Sequence, residues 1–272
     1  MPASCSGGLT RTTHDGGSER WQSGEHPVNM TVSGRRFPGI CDTAFEMAST
    51  RHNFQQQLDL VEEELQNHGR LVLRALDRAV QALLAGDEQL ADMVIAEDDD
   101  NDASYMRIEE EVERLLALQT PVATDLRLIL AILHVNLHLE RMGDQCVNIA
   151  KLTKLTLGLV IASELLESFR TMGEQAEAMT AEAMTAFAER NVERAERLVI
   201  MDTVINSENR DLARRIMALG GDERMREAGL RAILISRCIE RIGDNAVDIG
   251  ERVAYLASGE FREFTDASHP GE

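Results

Sequence analysis

Two stretches of this chain have the residue types and spacing to bind a cation. The first reads Leu139-Glu140-Arg141-Met142-Gly143-Asp144-Gln145-Cys146-Val147-Asn148-Ile149, and the second reads Ile239-Glu240-Arg241-Ile242-Gly243-Asp244-Asn245-Ala246-Val247-Asp248-Ile249. In each, a Glu, an Asp and then an Asn or Asp recur at every fourth position. A helix puts such residues on one face, where like charges oppose each other at a cost of a few tenths of a kcal/mol per pair. A bound cation would remove that cost. A second acidic pair precedes each stretch: Asp98 and Asp102 within Glu97-Asp98-Asp99-Asp100-Asn101-Asp102, then Asp202 and Asn206. Two neighbouring helices, each offering oxygen ligands four residues apart, can surround one cation or a small cluster. All-oxygen ligation favours hard ions: Mg²⁺, Mn²⁺, Ca²⁺ or oxidised iron, with Zn²⁺ also accepted. The competing reading is a solvated acidic face. The duplication of both motifs favours metal.

Other chemistry is poorly represented. The chain has no G-x-x-x-x-G-K-[ST], no H-E-x-x-H, no G-x-S-x-G and no Glu-x-x-His pair on two helices. No nucleophile or general base stands out, so binding is expected over catalysis. His134 and His138 have helical spacing but no counterparts in the second stretch, which has Leu234 and Cys238 there; they read as packing or surface histidines. The four cysteines (Cys5, Cys41, Cys146 and Cys238) have neither metal-ligand nor redox spacing. A net charge of −19 opposes nucleic acid and anionic lipid, and suits cations or a basic partner. With no signal-peptide pattern at the start and no apolar run of bilayer length, a cytoplasmic protein is expected.

Helices must position these groups. Aromatic residues are 4% of the chain, while Ala, Leu, Glu, Arg and Met abound. Only Pro121 falls between residues 39 and 269, which leaves room for long helices. Apolar spacing predicts helices from about Thr50 to Gly86, 88–118, 126–157, 163–189, 191–219 and 223–257. The second three repeat the first three. Gly69, Ala79, Ala82, Asp87 and Asp98 correspond to Gly173, Ala183, Ala186, Asn191 and Asp202 at an offset of 104, which becomes 100 in the third helix. The expected fold is therefore all-α, two tandem pseudo-symmetric three-helix bundles. The repeats are placed at 47–158 and 159–258. Residues 1–46 read as a disordered extension or an overlong start before Met47, and 259–272 as a disordered tail. In the third and sixth helices the apolar seams run through Leu128, Ile132, Val135, Leu139, Met142, Cys146 and Ile149, and through Ala232, Ile235, Ile239, Ile242, Ala246, Ile249, Val253 and Leu256. At about 100° per residue the acidic residues fall beside these seams, on a ridge facing solvent or another helix.

The segments LERMGDQCVNIAK and IERIGDNAVDIGERV, with AGDEQLADMVIAEDD and PVATDLRLILAIL before them, resemble the twin signatures of the PhoU family. The resemblance spans about residues 47–257 and implies surface-held multinuclear metal clusters, iron or zinc. By matching positions, Asp98, Asp102, Glu140, Asp144 and Asn148 would form one site. Asp202, Asn206, Glu240, Asp244 and Asp248 would form the other, weakened because Asn206 departs from the acidic pattern. The implied role is non-enzymatic. It is negative regulation of phosphate uptake and of the phosphate-starvation response, as a homodimer linking the phosphate ABC transporter's ATPase subunit to a sensor histidine kinase. Contact with the membrane would be indirect. A metal-free helical interaction scaffold is the alternative, and a metal-dependent phosphohydrolase ranks below both.

Overall fold

Helix α1 (Ile40–Ala85) starts upstream of the expected Thr50, because the preceding run Thr43-Ala44-Phe45-Glu46-Met47-Ala48 is rich in helix formers. The computed structural model describes residues 40–118, 121, 123–218 and 223–264, with side chains from Arg51 on. Residues 1–39 and 265–272, on which most of the expected extension and tail fall, lie outside the described residues. The segment up to Met47 is a unit by itself, of which only the first turns of α1 are described. From Ala48 on the chain forms one compact unit.

After α1 come α2 (Glu88–Ala96), α3 (Asp98–Leu118), α4 (Thr124–Thr156), α5 (Ser163–Glu189), α6 (Val192–Ala218) and α7 (Glu223–Ser258). All described elements are helices, so the all-α, tandem three-helix architecture holds. The expected helix 88–118 is split at Glu97. There the Glu97 N–H still reaches the Met93 carbonyl (2.9 Å), but the Asp100 N–H turns to the Glu97 carbonyl (3.1 Å). The split gives Asp98, Asp99 and Asp100 a helix N-terminus of their own, where the helix dipole favours negative charge. In the second repeat α6 runs unbroken.

The repeat is visible in backbone bonds. At the end of α1, Gly86 adopts φ +64°, the Asp87 N–H returns to the Ala82 carbonyl (2.9 Å), and the Asp87 carboxylate caps α2 at the Leu90 N–H (3.0 Å). At the end of α5 the same cap recurs 104 residues on. Arg190 takes φ +55°, the Asn191 N–H reaches the Ala186 carbonyl (3.0 Å), and Asn191 caps α6 at the Arg194 N–H (3.1 Å). Packing repeats too. A Cβ at Gly69 on α1 would lie 3.0 Å from Met184 on α5, and one at Gly173 would lie 2.8 Å from Val80. Gly173 and Met184 are the equivalents of Gly69 and Val80, so α1 meets α5 through one contact made twice, as a twofold axis requires.

Helices α4 and α7 pack against each other as the central pair. Every expected α7 seam residue is buried, and every α4 seam residue from Ile132 on is fully so. Leu128 is half-buried at the rim. The expected tail is corrected up to Phe264, which is 9% exposed, joins the core and donates its N–H to the Glu251 carboxylate (2.7 Å). An apolar ring eleven positions after Val253 is enough to draw the chain back over α7.

Candidate metal centre

Helix α3 lies on α4 with Asn101 against Gly143. Any Cβ at position 143 would overlap the Asn101 amide, so glycine sets how closely the two helices approach. That approach brings four carboxylates into one electrostatic group. Asp98 and Glu140 are half-buried, while Asp102 and Asp144 are exposed. Burial, then Asp102 and Asp144, push the Asp98 carboxyl above the ordinary carboxylate range. Burial, then Asp144 and Asp102, do the same to Glu140. Lys151 and Arg141 oppose these shifts from a distance. Among the described residues none of the four acids is ion-paired. Tyr105 flanks them and is pushed up to about 12, first by its hydrogen bond to Glu109 (2.6 Å), then by burial and nearby acids including Glu140.

The second cluster is built differently. Asp202 (4% exposed), Asn206 (4%) and Glu240 (8%) are buried between α6 and α7 rather than set on an open ridge. Burial is tolerated because each carboxylate has protein partners. Asp202 accepts a hydrogen bond from Asn206. Glu240 is ion-paired with Arg237 and accepts from the Asn209 amide (3.0 Å), which Ser236 holds in turn (2.9 Å). Asp244 is exposed. Asp248 points elsewhere: its carboxylate lies 3.5 Å from His138 Nδ1 on α4, beside the Asn245–His138 hydrogen bond (2.9 Å). It belongs to the seam between the repeats, and His138 is a packing residue there. Asn148 is exposed one turn beyond Asp144.

Among the described residues no three His, Cys, Asp or Glu side chains converge closely enough to hold an ion as they stand. The donor chemistry nevertheless separates the two clusters. The first offers four carboxylates without an ion pair among the described residues, two of them exposed, a donor set that fits a hard cation. The second already holds a guanidinium on Glu240, and as arranged it does not fit one.

Repeat-by-repeat comparison exposes what motif reading missed. Arg237 stands where the first repeat has Leu137, Asn209 where it has Tyr105, and Ile205 where it has Asn101. The twin motifs match, and their polar neighbours do not.

Comparison with known proteins gives a consistent result. A family model described as the PhoU domain matches residues 65–153 and 169–253. The chain is 32% identical over 231 residues to a phosphate-specific transport system accessory protein PhoU homolog of Pseudomonas aeruginosa, covering 82% of this chain and 92% of the relative. The crystal structure of PhoU from Pseudomonas aeruginosa is similar with a TM-score of 0.70 at 33% identity, covering 76% of this chain and all of that one. The crystal structure of the phosphate transport system regulatory protein PhoU from Streptococcus pneumoniae is similar with a TM-score of 0.71 at 31% identity, covering 77% and 99%.

Proposed function

The chain belongs to the PhoU family, and from that premise we propose that it is a negative regulator of phosphate uptake and of the phosphate-starvation response. It would work at the cytoplasmic face, linking the transporter's ATPase subunit to a sensor histidine kinase as a homodimer. The relatives' own names, accessory and regulatory proteins of phosphate transport, support this reading. The observation that carries the metal part is the first acidic cluster. Asp98, Asp102, Glu140 and Asp144 repel one another without a counter-ion. These four would hold iron, zinc, manganese or magnesium ions, whose charge would offset that repulsion. With no nucleophile beside the acids among the described residues, the role we propose is binding and not turnover.

Deletion of the gene in its host tests the regulatory role. Transporter expression and phosphate uptake should rise in phosphate-rich medium; unchanged expression would refute it. A second reading, a helical scaffold with no physiological metal, is favoured by one feature: Arg237 already neutralises the second cluster. Metal analysis of protein purified without chelators separates the two. A stoichiometry near zero with every metal offered would leave the scaffold.

A further inference from the structure

The outer face of the central helix pair is open. The His138–Asn245 bond (2.9 Å) ties α4 to α7, and at the end of α7 a Cβ at Gly259 would lie 2.9 Å from an Arg127 Nη. Contacts that climb α4 therefore descend α7, and the two helices run antiparallel. Carried along both, that register sets Leu130 opposite Tyr255, Arg141 opposite Arg241 and Leu155 opposite Leu230. At the offset of 100 the first and last pairs exchange and the middle pair maps onto itself, so the face shares the twofold symmetry of the fold.

This face is apolar at both ends and cationic in the middle. Leu126, Leu130, Leu155, Leu230 and Leu234 are 36–60% exposed on it, and a soluble chain leaves few such clusters uncovered. Arg141 and Arg241 are exposed, and Arg252 is half-buried over the Phe261 ring (4.6 Å). None of the three is ion-paired among the described residues, although the chain carries a net charge of −19. The acids beside them are Asp144 and Asp244, and Asp248, which is turned to His138 (3.5 Å).

We propose that this face docks an amphipathic helix of a partner protein, apolar on one side with carboxylates along its edges. Two antiparallel helices leave a groove between them, and such a helix lays its apolar stripe there. Leu130 and Leu155 are about 37 Å apart along α4 at 1.5 Å per residue, so about 25 residues of partner helix reach the leucines at both ends. Its edge carboxylates then meet Arg141, Arg241 and Arg252, which pair with no acid of the described chain. A second copy fits badly, because turning the face on itself sets these arginines against each other; a homodimer is left to another surface. An anionic bilayer is repelled by the whole chain, whereas one helix meets chiefly the cations beside it.

A docked partner presupposes the linking role proposed above, and needs no metal. Full-length metal-free protein is titrated at physiological salt with a labelled peptide of about 25 residues, leucine at the a and d positions of each heptad and glutamate at e and g. A peptide with glutamine for glutamate, and phosphatidylglycerol vesicles, are titrated in parallel. The glutamate peptide should bind roughly tenfold or more tightly than the glutamine peptide, against the repulsion of a chain of net charge −19. Arg141→Glu with Arg241→Glu, and separately Leu230→Ser with Leu234→Ser, should each weaken it by roughly tenfold or more. Helicity should be unchanged, since all four side chains are exposed. No binding, binding that neither pair of substitutions weakens, or binding of the vesicles in place of the peptide would overturn the proposal. So would a dimer that Leu230→Ser with Leu234→Ser dissociates, which would give the face to a second copy. These results leave the linking role standing; that role falls with unchanged expression on gene deletion, whatever the peptide does.

Discussion

Gly143→Ala should destabilise the protein although alanine is the better helix former. Position 143 is in the interior of α4, where glycine costs about 1 kcal/mol relative to alanine. Propensity alone therefore forecasts a gain of that size. The structure forecasts the opposite, because the added methyl would occupy the space of the Asn101 amide. Overpacking of a close-packed contact costs about 1–3 kcal/mol. Pushing Asn101 away from His68 also breaks a fully buried hydrogen bond (2.9 Å), and orphaning such a group costs about 1–3 kcal/mol more. The balance is a net loss of about 3 kcal/mol. For a body of this size each kcal/mol shifts Tm by about 2–4 °C, so thermal unfolding of the metal-free protein should fall by roughly 6–12 °C. Gly69→Ala is the comparator. Its Cβ would meet only the flexible side chain of Met184, with Cγ and Cε at 3.0 Å, so its Tm should stay within a few degrees of wild type. Adding Asn101→Ala to Gly143→Ala removes the object of the clash and should recover part of the loss, a coupling that a double-mutant cycle measures. A Gly143→Ala protein as stable as wild type, or more so, would show that α3 does not rest on α4 at Gly143.

Two further predictions follow from the charges. Asp98 and Glu140 are held above the ordinary carboxylate range in the folded protein, so the folded state binds their protons more tightly than the unfolded one. Their contribution to stability is therefore full below the unfolded carboxylate range and is lost as pH rises through the raised values. Metal-free protein should gain stability on acidification from neutrality toward that range, and Asp98→Asn with Glu140→Gln should flatten the slope in urea titrations at several pH values; an unchanged slope would refute the raised carboxyls, which burial and then their acidic neighbours cause. The slope will not vanish, because burial also raises Glu177 and Glu251. Arg237→Leu installs the residue that the first repeat has at position 137 and strips Glu240 of its counter-ion. Since Glu240 is buried, leaving it without its counter-ion should cost about 3 kcal/mol of stability, while metal stoichiometry per chain should rise; a stoichiometry equal to wild type would show that Arg237 is not what closes the second cluster.

Much of the fold is legible in the sequence, for an identifiable reason. Burial of an apolar seam is a property of one helix, and residues such as Ile132, Leu139, Ile239 and Val253 announce it by spacing alone. The repeat is legible because it doubles the sample, so that residue type and a constant offset suffice to match Gly69 with Gly173 and Asp87 with Asn191. What escapes a reading of spacing is set by pairs of helices. The break at Glu97 depends on one carbonyl choosing a nearer partner. The turn of Asp248 toward His138 depends on the packing of α4 against α7. The return of Phe264 to the core depends on Glu251 accepting a backbone N–H across a chain reversal. None of these is a periodicity, and the acidic spacing at Glu240 is identical to that at Glu140 although one is buried with a guanidinium and the other is not.

That last contrast shows how a duplicated motif can stand in unequal surroundings. The shared elements are those a twofold axis needs: the caps after Ala82 and Ala186, the glycines opposite Met184 and Val80, and the seams of α4 and α7. Changing the seam of α4 or α7 would disturb both halves, because each is the packing surface of the other. Polar residues beside the acids carry no such obligation. In the first repeat, Leu137 stands where Arg237 does, and His68 lies buried between Asn101 and Asn136. In the second, Arg237 supplies the cation from within the chain, and apolar Met172 and Ile205 replace His68 and Asn101. A carboxylate cluster buried between helices must be neutralised to stay folded. The second repeat meets that requirement with Arg237; the first eases it by leaving Asp102 and Asp144 exposed and Asp98 and Glu140 only half-buried. If the proposed metal binds the first cluster, the charge on the face of α3 and α4 depends on what the solution contains, and the charge of the second cluster does not.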